Sequence, residues 1–271
     1  MKNLIFKTKK ICRIIFPENV NSDEFFVRDL KMTPSFLSLE RKKELYFLEL
    51  NFGLKLAIRN KDHSDLDVFR QIFVHQEYSI FSDLVTYNYH DDEFIIIDAG
   101  ANVGYTSLYF SHELKNCKIF AIEPSPNNFE ILKLNLEMNS VKYKLYQNAL
   151  AEVEGKKFEI GGEFRDSKDW SITTNESING QINGITIQQI INENQLQYIS
   201  ILKIDIEGAE RFLFQDGVDL GYLKITKLIA IEIHDEFEIR EKINNTLRLN
   251  GFILFTSGEL TIGINKWLHQ C

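Results

Sequence analysis

The stretch that most constrains this chain is residues 94–104, where an apolar run ends in an acid and turns at once through glycines. Phe94-Ile95-Ile96-Ile97-Asp98 reads as a short buried strand, Asp98-Ala99-Gly100-Ala101-Asn102-Val103-Gly104 as the turn, and Asn102–Glu113 as a helix. A strand apolar on both faces has to be covered on both faces. The alternation continues downstream. Lys118–Ile122 is a second strand closed by Glu123-Pro124, Pro126–Asn139 a helix with proline in its first turn, and Tyr143–Ala149 a third strand. Further strands are predicted at Ser200–Ile206, Leu228–His234 and Phe252–Phe255, with helices near Ala209–Gln215 and Glu236–Leu249. The pattern predicts an α/β fold, a mostly parallel sheet with helices on both faces. Phe252–Phe255 and Leu260–Asn265, joined through Ser257-Gly258, read as an antiparallel hairpin at the end of that sheet.

The turn also discriminates between ligands. Glycines let the backbone turn sharply and approach a ligand, which then meets free N–H groups and the positive end of a helix dipole. A dinucleotide fingerprint is GxGxxG, cradling a pyrophosphate. Here Asn102 replaces the second glycine, and Asp98 would repel phosphates. A carboxylate there suits a ligand with an ammonium group, such as the methionine half of S-adenosylmethionine. Glu123, ending the next strand, is placed to accept both ribose hydroxyls. The competing reading is a plain glycine turn with two capping acids.

With these motifs the chain resembles the FkbM-type methyltransferase family. The resemblance rests on Ile97-Asp98-Ala99-Gly100-Ala101-Asn102-Val103-Gly104, on Ala121-Ile122-Glu123-Pro124 with Asn128, and on Asn148-Ala149-Leu150. It also rests on Leu202-Lys203-Ile204-Asp205-Ile206-Glu207-Gly208-Ala209-Glu210 and Glu232-Ile233-His234, and it runs from about Asp65, through Glu77-Tyr78, to about Gly251. It implies a Rossmann-like, class I methyltransferase fold with a seven-stranded sheet, and S-adenosylmethionine as cofactor. It implies O-methylation of a hydroxyl on a sugar, glycan or secondary metabolite. By the same resemblance Asp98, Gly100, Asn102 and Gly104 hold the methionine end, Glu123 the ribose, Asn148 lies near the adenine, and Tyr78 closes over the cofactor.

Reacting groups in an open α/β sheet gather outside the carboxyl ends of the strands. Here those positions hold Asp205, Glu207 and His234 with Asp235. Strand alternation sets Lys203, Asp205 and Glu207 on one side, provided the strand stays extended that far. A buried Lys203 ammonium needs a partner, and Asp205 and Glu232 are the expected ones. The pair either braces the sheet or aims Asp205 at the acceptor. His234 is the best base by intrinsic pKa, with Asp205 and Glu207 as alternatives. These three could also ligate a divalent metal, although no spacing fixes that geometry and no metal is expected. Alternatives to O-methylation are N-methylation of a small amine and a non-catalytic scaffold that binds the cofactor.

Residues 1–64 read as an N-terminal extension with a β-hairpin at 45–59 hinged at Asn51–Gly53, and 65–271 as the cofactor-binding domain. Leu66, Phe69, Ile72 and Phe73 share one face of a helix within Asp65–Tyr78. Residues 150–185 hold a strand at Lys156–Ile160 and then a Gly-, Ser- and Asn-rich loop around Trp170, with 161–185 as the expected acceptor loop. A net charge of −8 argues against a nucleic-acid partner, which needs a basic face. An amino-directed nucleic-acid enzyme would carry an Asp/Asn-Pro-Pro-aromatic element where Ile206-Glu207-Gly208-Ala209 stands, and a cytosine-C5 enzyme would carry a Pro-Cys nucleophile. Cys12, Cys117 and Cys271 form no paired motif, as in a reducing, cytoplasmic setting. Lys2, Lys7, Lys9, Lys10 and Arg13, with no acid among them, make the N-terminus either a solvated tail or a peripheral contact to an anionic membrane.

Overall fold

The computed structural model describes residues 23–163 and 172–268. The basic N-terminus and Trp170 lie outside the described residues. Helix α1 (Asp23–Lys31) precedes a three-stranded antiparallel sheet of β1 (Phe36–Lys42), β2 (Leu45–Leu50) and β3 (Lys55–Arg59). The expected hairpin is present as β2 and β3, and β1 adds a strand. Helix α2 (Asp65–Phe69) widens into a π-helical turn at Arg70–Val74, and α3 (Ser79–Asn88) follows.

The main sheet begins with β4 (Phe94–Ala99), α4 (Tyr105–Glu113), β5 (Cys117–Ile122), α5 (Pro126–Glu137) and β6 (Lys142–Tyr146). Ser125 caps α5 by accepting from the Asn128 N–H, and Pro126 occupies the first turn, where a missing N–H costs nothing. Residues 150–185 hold the expected strand near Lys156–Ile160, but the stretch read as loop after it contains further strands. Here β7 (Ala149–Leu150), β8 (Lys157–Glu163), β9 (Ile172–Glu176) and β10 (Ile182–Ile185) form a second sheet in the order β7-β10-β8-β9. Polar composition hid it, because strands exposed on one face carry few apolar residues. Thr186 and Gln189 form a reciprocal capping box that starts α6 (Ile187–Asn194).

The remaining elements are β11 (Ile199–Ile204), α7 (Glu210–Leu213), β12 (Thr226–Glu232), α8 (Arg240–Leu249), β13 (Phe252–Ser257) and β14 (Leu260–Asn265). The seven strands run β13-β14-β12-β11-β4-β5-β6. Only β14 is reversed, and it lies one place in from the edge rather than at it. The chain crosses by α8 to the outer position, and the hairpin then returns β14 into the gap.

Alternate residues on each strand serve two cores, as a period of two requires. Ile96, Ile119, Ile201 and Leu228 face the core shared with α1 to α5 and the N-terminal sheet. Ile97, Phe120, Leu202 and Ile229 face the core covered by α6, α7 and α8. No helix of the described residues is long and apolar enough to cross a membrane.

Candidate active site

The turn after β4 has three residues with left-handed backbone, Gly100 (φ 78°), Asn102 (φ 50°) and Gly104 (φ 86°). The N–H groups of Gly100 and Ala101 donate to the Ile122 carbonyl, and the Asn102 N–H donates to Glu123 Oε2 at 2.8 Å. The turn is thereby clasped over the end of β5. A Cβ on Gly100 would stand 1.7 Å from the Asp205 carbonyl oxygen, and one on Gly104 would stand 2.6 Å from Leu132 Cδ1. Gly104 is therefore set by helix packing rather than by a ligand.

Glu123 is 5% exposed and accepts from Ser125 N–H through its other oxygen at 2.9 Å. Burial pushes its carboxyl up to about 7, moderated by the Ser125 and Asn102 N–H groups. Each oxygen holds one backbone donor and keeps a lone pair for another.

A cavity of about 430 Å³ opens at the carboxyl ends of the strands. Its floor is Gly100, Ala101 and Asn102 with Glu123 and Pro124; Ala149, Leu150 and Thr174 form one side. The π-helical turn contributes Gln71 and Ile72, and Tyr78 lies next to them. Lys203, Asp205, Ile206, Glu207, Glu232 and Glu259 complete the wall.

Four expected contacts are placed elsewhere. Asp98 is fully buried and does not line the cavity. It pairs with Lys203 at 3.3 Å and accepts from the Ser107 hydroxyl at 2.7 Å. Gly104 faces Leu132, as above. Asn148 donates its side-chain amide to the Asn183 carbonyl at 3.0 Å, while its neighbours Ala149 and Leu150 line the cavity. His234 is 1% exposed and sits behind the wall.

Lys203 lies across from Asp98 in the parallel register of β11 and β4, which makes Asp98, with Asp205 at 3.4 Å, its partner in place of Glu232. Its ammonium also donates to the Gly100 carbonyl at 2.6 Å. Burial alone would lower its pKa, but Asp205 and Asp98 outweigh that and hold it above the ordinary lysine value. The ion pair thus ties the glycine turn to the Asp205 loop.

Strand β11 stops at Ile204, so the extended path to Glu207 is not followed. Glu207 and Gly208 are both left-handed, at φ 52° and 88°. The turn brings Glu207 to His234. Glu210 Oε1 accepts from the His234 N–H at 2.9 Å and lies 2.7 Å from Nδ1, while Nε2 is 3.4 Å from Glu207 and 3.8 Å from Glu232. Burial would lower the imidazole pKa, but the Glu207 and Glu210 hydrogen bonds override it and raise it to about 10. Buried between these carboxylates and behind the cavity wall, His234 is placed as a clamp between α7 and β12 rather than as a base facing the cavity. Its nitrogens are committed to carboxylates, so it offers nothing to a metal shared with Asp205 and Glu207.

Glu259 was missed in the sequence because an acid at a hairpin tip reads as a solubilising residue. The sequence offers Glu232 as a partner for Lys203 and within the Glu232-Ile233-His234 motif, not as a cavity group. Glu232 lines the cavity with its pKa raised by burial and by Asp205 beside it.

This strand order, with its cavity over the glycine turn, is that of the class I methyltransferases, which use S-adenosylmethionine as cofactor. The chain belongs to the FkbM methyltransferase family, whose domain, described as the Methyltransferase FkbM domain, matches residues 98–265. Methyltransferase sdnD of Sordaria araneosa is 24% identical over 68% of this chain and 81% of its own. The 31-O-demethyl-FK506 methyltransferase FkbM of Streptomyces tacrolimicus is 24% identical over 58% of this chain and 72% of its own. Among solved structures, the S-adenosylmethionine-dependent methyltransferase from Agrobacterium tumefaciens is 13% identical, with a TM-score of 0.45 over 84% of this chain and 72% of its own.

The residues present fit this cofactor. Glu123 offers two acceptor oxygens. Asn102 Oδ1 is buried at the cavity floor with no hydrogen-bond partner among the described residues, an acceptor awaiting a donor.

Proposed function

We propose that this methyltransferase acts on a hydroxyl of a small acceptor, a sugar, glycan or secondary metabolite. The observation that carries the reading is Glu232, a carboxyl on the cavity wall whose affinity for protons is raised by burial and by Asp205. A hydroxyl must lose its proton as it attacks, and a base held above the ordinary carboxylate range takes that proton more readily. The name of the Streptomyces relative, which places its methylation at an oxygen, supports the same direction.

When bound, S-adenosylmethionine supplies a methyl group on a sulfonium with a neutral leaving group. The chain supplies placement, the main lever for such a displacement. Glu123 and Asn102 anchor the cofactor. Lys203 orients Asp205 at the wall, and His234 holds Glu207 and Glu232 in place. Glu232 accepts the acceptor's proton.

The test offers purified protein and S-adenosylmethionine a panel of hydroxylated and amine acceptors, and identifies the product by the shift of its new methyl resonance. An O-methyl product is expected. An N-methyl product would overturn the reading, and cofactor binding with no turnover of any acceptor would favour a scaffold role. Glu232→Gln should lower kcat by roughly 10²-fold or more, the usual contribution of a general base, with little change in cofactor affinity.

A further inference from the structure

Glu232 and Glu259 line one end of the cavity, and Glu77 stands against the hairpin that carries Glu259. Pairing of Glu232 with Leu260 across β12 and β14 sets Glu259 beside Glu232. Glu77 Oε1 lies 3.6 Å from the Cβ position of Gly258 at the hairpin tip. Like charges so close repel one another, and Asp205 and Glu259 both push the Glu77 and Glu232 carboxyls up, after burial itself.

Cations to offset them are scarce. Lys203 is the only basic residue among the described residues that line the cavity, and it is committed to Asp98, Asp205 and the Gly100 carbonyl. His234 lies 3.8 Å from Glu232 but closer to Glu207 and Glu210. Glu259 has no ion pair among the described residues, and Glu77 Oε2 is buried without a hydrogen-bond partner among them.

Tyr78 is an independent pointer to a ligand. It is 3% exposed and lines the cavity, and its hydroxyl makes no hydrogen bond among the described residues. Asp205, Glu77 and Glu232 all act on it electrostatically. A phenol on the cavity wall beside carboxylates offers its oxygen to a bound donor. A group with several N–H donors and a positive charge satisfies the phenol oxygen and the carboxylates together.

We infer that the methyl acceptor carries an ammonium or guanidinium group, seated at Glu259 and Glu77 beside the Tyr78 hydroxyl, with Glu232 left to the acceptor's own hydroxyl. This rests on the methyl-transfer reading above and names the acceptor class: a hydroxylated compound with a cationic arm. The cation group is recognised, and the hydroxyl is the nucleophile.

The test titrates glucosamine, glucose and N-acetylglucosamine at pH 7 into protein saturated with S-adenosylhomocysteine, and repeats the comparison with 4-aminobutanol against 1,4-butanediol. The cationic member of each set should bind on the order of tenfold more tightly, with the preference shrinking in high salt. Glu259→Gln, at an exposed hairpin tip, should weaken the cationic probes by roughly fivefold, the scale of a partly exposed ion pair. It should leave the neutral probes and S-adenosylhomocysteine unaffected. Equal binding of cationic and neutral members would overturn the inference and leave the methyltransferase reading standing. So would a loss of cofactor affinity in Glu259→Gln, since the acids would then serve the cofactor's own charge. Failure to bind S-adenosylhomocysteine at all would overturn both. An N-methylated product would overturn the hydroxyl nucleophile while keeping the cation subsite.

Discussion

Glu123 shows how much one side chain carries. It clasps the glycine turn through Asn102 and the next helix through Ser125, and it is the acceptor we propose for the ribose. Hydroxyl donors favour an ionised acceptor, so cofactor affinity should be full above pH 7 and fall as the pH drops through about 7, where Glu123 takes a proton. Titration of S-adenosylhomocysteine between pH 5.5 and 8.5 checks the direction. Glu123→Ala should weaken binding by roughly 10- to 100-fold, the worth of hydrogen bonds to a charged group. Asp98 is the opposite case. Its motif also points to the cofactor, but the fold uses it to neutralise Lys203 inside the sheet.

Elements set which of these residues can meet. His234 follows β12, Glu210 begins α7, and Glu207 sits in the turn between β11 and α7, so the imidazolium pins a short helix to a strand. Its folded pKa of about 10 lies above the ordinary 6.5. The stabilisation is therefore fully present below about pH 6.5 and is lost as the pH rises through about 10. Urea midpoints for the wild type and His234→Gln should be well separated at pH 6 and converge at alkaline pH. A gap that stays constant with pH would count against the clamp. The glycine turn is also an element-scale device. Gly100→Ala has to accept both a left-handed backbone and a clash with the Asp205 carbonyl, and should cost about 3 kcal/mol or more. Gly155→Ala is the control, with φ 81° and nothing within 4 Å of its Cβ, and should lose about 1–2 kcal/mol from the backbone alone. Thermal unfolding of the two variants separates clash from strain.

At the scale of the molecule, the N-terminal sheet is tied into the cofactor turn. The Ala57 N–H donates to Asn135 Oδ1 at 2.7 Å, and Asn135 Nδ2 donates to the Val103 carbonyl at 2.7 Å. The Tyr105 hydroxyl donates to the Ala57 carbonyl at 2.9 Å. Leu48, Leu50, Leu56 and Ile58 share a core with α4 and α5. We propose that 23–64 and the following residues unfold together, so the full chain should show one calorimetric transition. A chain beginning at residue 61 should lose that transition and its S-adenosylhomocysteine binding. A truncated chain that binds normally would make the sheet an independent appendage.

Period-two and helical hydrophobicity, read along the chain, gave nearly every strand and helix of the main sheet, because burial on two faces leaves its mark in consecutive residues. The turn at Gly100–Gly104 and the place of Glu123 were legible for the same local reason. Apart from β8, the small sheet around 150–185 was not, since its polar strands take their order from pairing with distant segments. Nor was the fate of the acids. Whether Asp98 meets a ligand or Lys203, and whether His234 is a base or a clamp, depends on which strands are neighbours and in what register. The sequence by itself determined the elements of the main sheet, the glycine turn and the place of Glu123. Only the tertiary structure decided which carboxylates are neutralised inside the sheet and which are left facing the cavity, because charge pairing acts through space between residues that lie far apart along the chain.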